Sequence, residues 1–142
     1  MNLLRVVNRY SASVSDNPWK WELKNQTWNK KRSKVRKTKP FRDFIMHWWP
    51  TSEMDGQITV TTQDESTVVG ELFFGLEYEN DETIKGAVEV HPDYRRKGIA
   101  TAMYSWGEDL TGKEFSPENN HTDAAESLWN QPNRPFGRGY HR

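Results

Sequence analysis

The sequence predicts one α/β domain built on an antiparallel β-meander with helices packed against it. Two patterns and the length carry that expectation. Residues 58–90 hold three strand-like runs, separated by the polar turns Asp64-Glu65-Ser66 and Asn80-Asp81-Glu82. Ile99, Ala102, Met103, Trp106 and Leu110 then fall at i, i+3, i+4, i+7 and i+11, one face of a helix closing near Gly112. A chain of 142 residues leaves room for one domain and little more.

Taken in order, residues 3–7 (Leu-Leu-Arg-Val-Val) suit a first strand. Residues 11–39 are polar, with Trp19, Trp21 and Trp28 interspersed and no clear period. Phe41, Phe44, Ile45 and Trp48 stand at helical spacing before Pro50, which predicts a short helix over 41–49. Residues 58–62 alternate and are β-branched. Residues 67–79 form a long strand candidate, with Gly70 and Gly75 as bulge or bend positions, and residues 83–90 return as a third strand. Thr122 is the expected N-cap of a second helix that runs to Asn130, where Pro132 bars continuation. The last ten residues read as a tail. A convenient division is a basic, Trp-rich segment over 1–50, a core over 56–130, and residues 131–142.

Apolar residues make up 34% of the chain, below the roughly 45–50% (glycine included) of globular chains even when nine Gly are added. Seven Trp, six Phe and five Tyr offset this, since each buries a large area. The absence of Cys excludes disulfides, thiolate metal sites and cysteine nucleophiles. No apolar run approaches the roughly 20 residues that span a bilayer. Arg5 and Arg9 interrupt the N-terminal apolar stretch, so no signal peptide is expected. The expected location is the cytoplasm, without membrane contact. His47, His91, His121 and His141 lack metal-ligand spacing, and no metal is assigned.

The net charge of zero hides a division. Residues 1–50 carry 12 Lys/Arg against 3 Asp/Glu, whereas residues 51–142 carry 8 against 17. Seven of the ten residues from Lys30 to Lys39 are basic. With Trp21 and Trp28 nearby, that run suits contact with a nucleic acid or an acidic protein surface. It equally suits a solvated arm docked on the acidic half of the chain.

The most informative segment is Val88-Glu89-Val90-His91-Pro92-Asp93-Tyr94-Arg95-Arg96-Lys97-Gly98-Ile99-Ala100. A strand ends, a basic turn follows, and a glycine opens a helix. Such a helix start presents amides without intrahelical partners and the positive end of the helix dipole. Glycine lets an anion approach closely, so the assembly suits a pyrophosphate.

On these residues the chain resembles the GCN5-related N-acetyltransferase (GNAT) superfamily. Arg95, Gly98 and Ala100 match its [Q/R]-x-x-G-x-[G/A] signature, and Val88, Val90 and Pro92 match the preceding V-x-V-x-P. The resemblance is closest over 83–112, extends over 56–130, and is weak or absent over the first 50 residues. Short phage-encoded acetyltransferase-like proteins look similar, including the Leu128-Trp129 ending; for such a protein the location would be the host cytoplasm.

The resemblance implies a mixed, mainly antiparallel, splayed sheet and an acyl-CoA N-acyltransferase that uses acetyl-CoA. The pantetheine arm would pair with the backbone of Val88, Glu89 and Val90. Amides of Arg95, Arg96, Lys97, Gly98, Ile99 and Ala100 would hold the pyrophosphate, and the Val90 N–H would serve as oxyanion donor. The acceptor amine would attack directly, without a covalent enzyme intermediate. The family's next motif, N-x-x-A-x-x-L-Y, places Ala125 and Leu128 correctly but sets Thr122 for Asn and Trp129 for the Tyr that protonates the leaving thiolate. Tyr104, Tyr140 or water would then have to serve. Only 13 residues follow Trp129, too few for the family's two terminal strands. The acceptor cleft is therefore expected to be completed by the N-terminal 50 residues or by a second subunit in a homodimer.

Candidate bases are Glu89, between two valines on the cofactor strand, and Glu71 and Glu77 on its neighbour. Each competes with the plainer role of a solvated carboxylate on a half-exposed sheet face. The expected function is acetyl transfer to an amine, with a macromolecular acceptor, protein or RNA, favoured by the open cleft beside the cationic segment. The alternatives are a catalytically degenerate GNAT fold acting as a binding or host-interaction protein, and a nucleic-acid-binding module.

Overall fold

Asn17 and Pro18 start the first helix: the Asn17 side chain accepts from the Trp19 amide, and Pro18 occupies a position where no amide is needed. The computed structural model describes residues 17–75, 83–117 and 123–140, with Asp123 and Ala124 described by backbone only. Helix α1 (Pro18–Lys31) is followed by a 3-10 turn at Arg32–Lys34 and strands β1 (Lys37–Phe41), β2 (Phe44–Pro50), β3 (Asp55–Thr62), β4 (Val68–Gly75) and β5 (Thr83–Val90). Helix α2 (Ile99–Thr111), strand β6 (Glu114–Ser116) and helix α3 (Asp123–Trp129) complete the described elements. The expected strand over 3–7, the Thr122 cap, Glu77, His121 and His141 lie outside the described residues.

The six strands form one sheet in sequence order. Neighbours from β1 to β5 are antiparallel, and β5 pairs with β6 in parallel. The expected meander over 58–90 is thus present as β3, β4 and β5. The register shifts at Val60/Thr61 opposite Val68 and Gly70, next to one of the expected bulge positions.

The two faces of the sheet differ. Phe44, Met46, Ile58, Val60, Leu72, Phe74 and Ile84 turn to one side and pack with Ile99, Met103 and Trp106 of α2. The other face is built from buried polar groups, His47, Gln57, Thr59, Thr61 and Glu71, and α1 lies over part of it. Because successive strand residues alternate, Glu71 and Glu89 belong to this polar face while Leu72, Val88 and Val90 belong to the apolar one.

Residues 44–50 form a strand rather than the helix expected over 41–49. Phe44 and Met46 enter the main core, while His47 and Trp49 are buried on the opposite face. A strand covered on both sides shows a continuous apolar run, in which helical spacing arises by chance. Residues 18–50 are likewise no loose arm, since they supply α1 and two strands of the sheet.

The C-terminal segment is not a tail either. Phe136 is fully buried, stacked on Tyr104 with ring centroids 4.7 Å apart and set edge-on to Trp129 at 5.1 Å. Arg134 donates to the carbonyls of Trp129, Gly137 and Tyr140 at 2.7–2.8 Å, and its guanidinium lies 5.0 Å from the Trp129 ring. Glu108 on α2 accepts from the amides of both Phe115 and Gly137, each at 2.8 Å.

Candidate active site

The parallel seam of the sheet is short. Thr83, Ile84 and Lys85 pair with Glu114, Phe115 and Ser116, and beyond Lys85 no described strand lies beside that edge of β5. On its other edge β5 pairs with β4 through Gly86–Val90, and the His91 amide donates to the Val69 carbonyl at 2.9 Å. In an antiparallel ladder alternate residues point their backbone groups to the same neighbour. His91 and Glu89 therefore address β4, and the amides and carbonyls of Val88 and Val90 face the open side. The Tyr104 hydroxyl reaches the Gly86 carbonyl there at 3.4 Å, and Arg95 Nε donates to the Val90 carbonyl at 3.2 Å.

At the end of β5 the chain makes a 3-10 turn (Pro92–Tyr94) and enters α2. Arg96 (φ 62°) and Gly98 (φ 80°) adopt left-handed conformations, which glycine takes readily and arginine at a cost. Gly98 is the N-cap, and it brings no side-chain oxygen to the first-turn amides; no acidic residue stands in that turn. The first intrahelical bond runs from Ala102 N to Gly98 O, so the preceding amides open outward. Arg96, Lys97 and Gly98 are exposed, Ile99 is buried and Ala100 is half-buried. Arg42, at the β1–β2 turn, donates to the Lys97 carbonyl at 2.8 Å and adds a further cation. Sequence reasoning did not place Arg42 at the site; it lies three residues beyond the basic run over 30–39, and the β1–β2 hairpin brings it here.

Glu71 and Glu89 sit directly opposite each other across β4 and β5. Lys24 of α1 ion-pairs with Glu71 and lies 3.7 Å from Glu89, while Lys20 Nζ lies 2.5 Å from Glu89 Oε2. Gln57 donates to the second Glu71 oxygen at 2.6 Å and to Thr59, which also accepts from Trp49. Glu71 is thus held on both oxygens and buried. Glu89 is more open, and its Oε2, though ion-paired, has no aligned hydrogen-bond donor. Two of the three candidate bases, Glu71 and Glu89, are thus brought together, with a lysine on each. Past α1, Asp55, Phe73, Lys85 and Ala87 line a shallow cavity on the same face.

At the other end of α1, Trp28 lies 4.5 Å from the His47 ring and donates to the Glu65 carbonyl. Burial holds His47 below its usual 6.5; Glu65 opposes this and Arg32 adds to it. His91 stands against Trp21 and Tyr94 at the end of β5. Trp129 is buried among Tyr104, Phe136 and Tyr140 and so serves as packing. The basic run over 30–39 occupies the end of α1, the following turn and β1, and apart from the half-buried Lys31 its cations are exposed. No group of three or more His, Cys, Asp or Glu suited to a metal occurs among the described residues. No described helix is long and apolar enough to cross a membrane.

Among the described residues, a mainly antiparallel sheet with a three-residue parallel pairing at β5 and β6, beside a helix start bare of side-chain caps, defines a mixed α/β protein. The family model described as Acetyltransferase (GNAT) family matches residues 19–136, and the chain belongs to that family. The match takes in α1, β1 and β2, where sequence reading had found little or no resemblance. No match was found among curated proteins or among solved structures.

Proposed function

We propose that this chain transfers acetyl from acetyl-CoA to a primary amine. The observation that carries the proposal is the open β5 edge at Val88 and Val90 running into the uncapped start of α2. Amides from Arg95 to Ala100 hold the diphosphate, and Arg42 and Lys97 add positive field. The edge groups of Val88 and Val90 pair with the amides of the pantetheine arm, and one edge N–H, that of Val90, faces the carbonyl oxygen on which charge develops. When bound, the thioester supplies the activated acetyl group. Glu89 is the better placed base, because Glu71 is already held by Lys24 and Gln57. Proximity supplies much of the rate. Trp129 has no acidic proton to offer, and Tyr104, whose hydroxyl reaches the open edge, takes that role.

The cavity lined by Phe73, Lys85 and Ala87 is shallow and faces outward, which favours a macromolecular amine over a small one. Incubation with isotopically labelled acetyl-CoA, a lysine peptide, RNA and a polyamine, followed by mass spectrometry, tests both points. Acetyl transfer that Gly98→Trp abolishes in a folded variant is expected. Calorimetry showing no coenzyme binding would overturn the assignment, and exclusive use of polyamine would overturn the acceptor class. Coenzyme binding without any turnover would instead favour a degenerate fold acting as a binding protein, a role consistent with the buried Trp129.

A further inference from the structure

We infer that Lys20 is an acetylation site of this chain, modified in cis by the chain's own active site. The inference rests on the acetyltransferase assignment above. Lys20 is in the first turn of α1, a turn with no acidic residue. A cation there is disfavoured by the helix dipole, so the position gains nothing from helix stability. What the lysine meets instead is Glu89, 2.5 Å away, with both side chains 27% exposed. Glu89 lies between Val88 and Val90, the two residues whose backbone groups face the open edge of β5. Lys24, one turn further on, is drawn inward between Glu71 and Glu89 and is only 14% exposed. Lys20 therefore stands alone at the border between the polar face and the edge that receives the thioester.

The chemistry balances with acetyl-CoA as the only co-reactant. The Lys20 ammonium passes one proton to Glu89, and from there to water. Its nitrogen forms a bond to the acetyl carbonyl carbon as the carbon–sulfur bond breaks. The electron pair of that bond leaves with sulfur, which takes a proton from Tyr104, and the second proton of the nitrogen restores the Tyr104 hydroxyl. The products are an amide on Lys20 and free coenzyme thiol. One cation is lost from α1 and Glu89 loses the closer of its two lysines, retaining the longer contact with Lys24 at 3.7 Å. An external amine then finds Glu89 less tightly paired, so the modification primes the site.

The full-length protein is incubated with isotopically labelled acetyl-CoA and digested for peptide mass spectrometry. A labelled acetyl on Lys20 is expected, forming at a first-order rate independent of protein concentration, suppressed by desulfo-CoA, and lost in Lys20→Arg. A second readout needs no turnover: a zero-length carbodiimide cross-link should join Lys20 to Glu89 in the coenzyme-free protein. Label confined to Lys30, Lys31, Lys34, Lys37 and Lys39, or a rate that rises with protein concentration, would overturn the inference. Transfer to added amines with Lys20 unlabelled would overturn it while leaving the acetyltransferase assignment standing. Absence of both transfer and coenzyme binding would overturn the two together.

Discussion

Lys24→Met removes the cation that lies between Glu71 and Glu89 while keeping most of the aliphatic stem. Glu71 then remains 8% exposed on its side chain, with Gln57 as its remaining donor and with Glu89 directly across the ladder. Breaking a buried pair by deleting one partner costs about 3–5 kcal/mol, chiefly from the charge left behind. Such a loss is a large share of the roughly 5–15 kcal/mol that holds a domain of this kind together. Adding Glu71→Gln removes the stranded charge, keeps the shape and leaves Gln57 a neutral partner. The double variant is therefore expected to recover at least about 2 kcal/mol relative to Lys24→Met, within the range measured for residues in contact. Urea denaturation of the wild type, both single variants and the double variant gives the coupling directly, provided the m-values agree. Additive losses, with Lys24→Met no worse than about 1 kcal/mol, would refute the view that this lysine neutralises a buried carboxylate.

Phe136→Ala should cost about 3–5 kcal/mol, the range for truncating a buried aromatic, because the ring is fully enclosed by Tyr104 and Trp129; a loss below about 1 kcal/mol by urea denaturation would show that residues 131–140 do not pack as described. His47 gives the stability a pH dependence. Its folded-state value is depressed by burial, so the unfolded chain takes up the proton first: the contribution is intact above 6.5 and is lost as pH falls from there towards the folded value. The slope in that window is at most about 1.4 kcal/mol per pH unit. His47→Gln should flatten this limb in urea midpoints taken from pH 5 to 7.5, and an unchanged slope would count against a neutral buried imidazole.

What could be read from the sequence was what a single surface-facing pattern encodes. Helix α2 was visible because Ile99, Met103 and Trp106 face one core while its other side faces solvent. Strands β3 to β5 were visible through β-branched alternation and the turn at 64–66, and the helix start at Gly98 through glycine and the cations before it. Helix α1 escaped because its buried face is mixed: Trp21 and Trp28 stand two turns apart with Lys24 and Asn25 between them, and the partners of those polar residues, Glu71 and Glu89 for the lysine and the Val68 amide for the asparagine, lie far along the chain. The signal that would have found it was Asn17-Pro18, a cap followed by a proline suited to a first turn. Strand β2 was misread because both its faces are covered. Glu71 and Glu89 were legible as carboxylates on neighbouring strand candidates, but the register that sets them opposite each other comes from the ladder, and the lysines that answer them come from a segment 47 to 69 residues away, which local patterns do not connect.

The carboxylate of Glu108 has a consequence out of proportion to its size. It grips the amide of Phe115, on β6, and the amide of Gly137, in the segment that backs Trp129. Slack at this one anchor would pass to both, and through Phe115 and the segment of Phe136 to Tyr104, which stands one turn earlier on α2 and packs against both rings. On the proposed function, substitution of this side chain alone is expected to change how tightly the coenzyme is held.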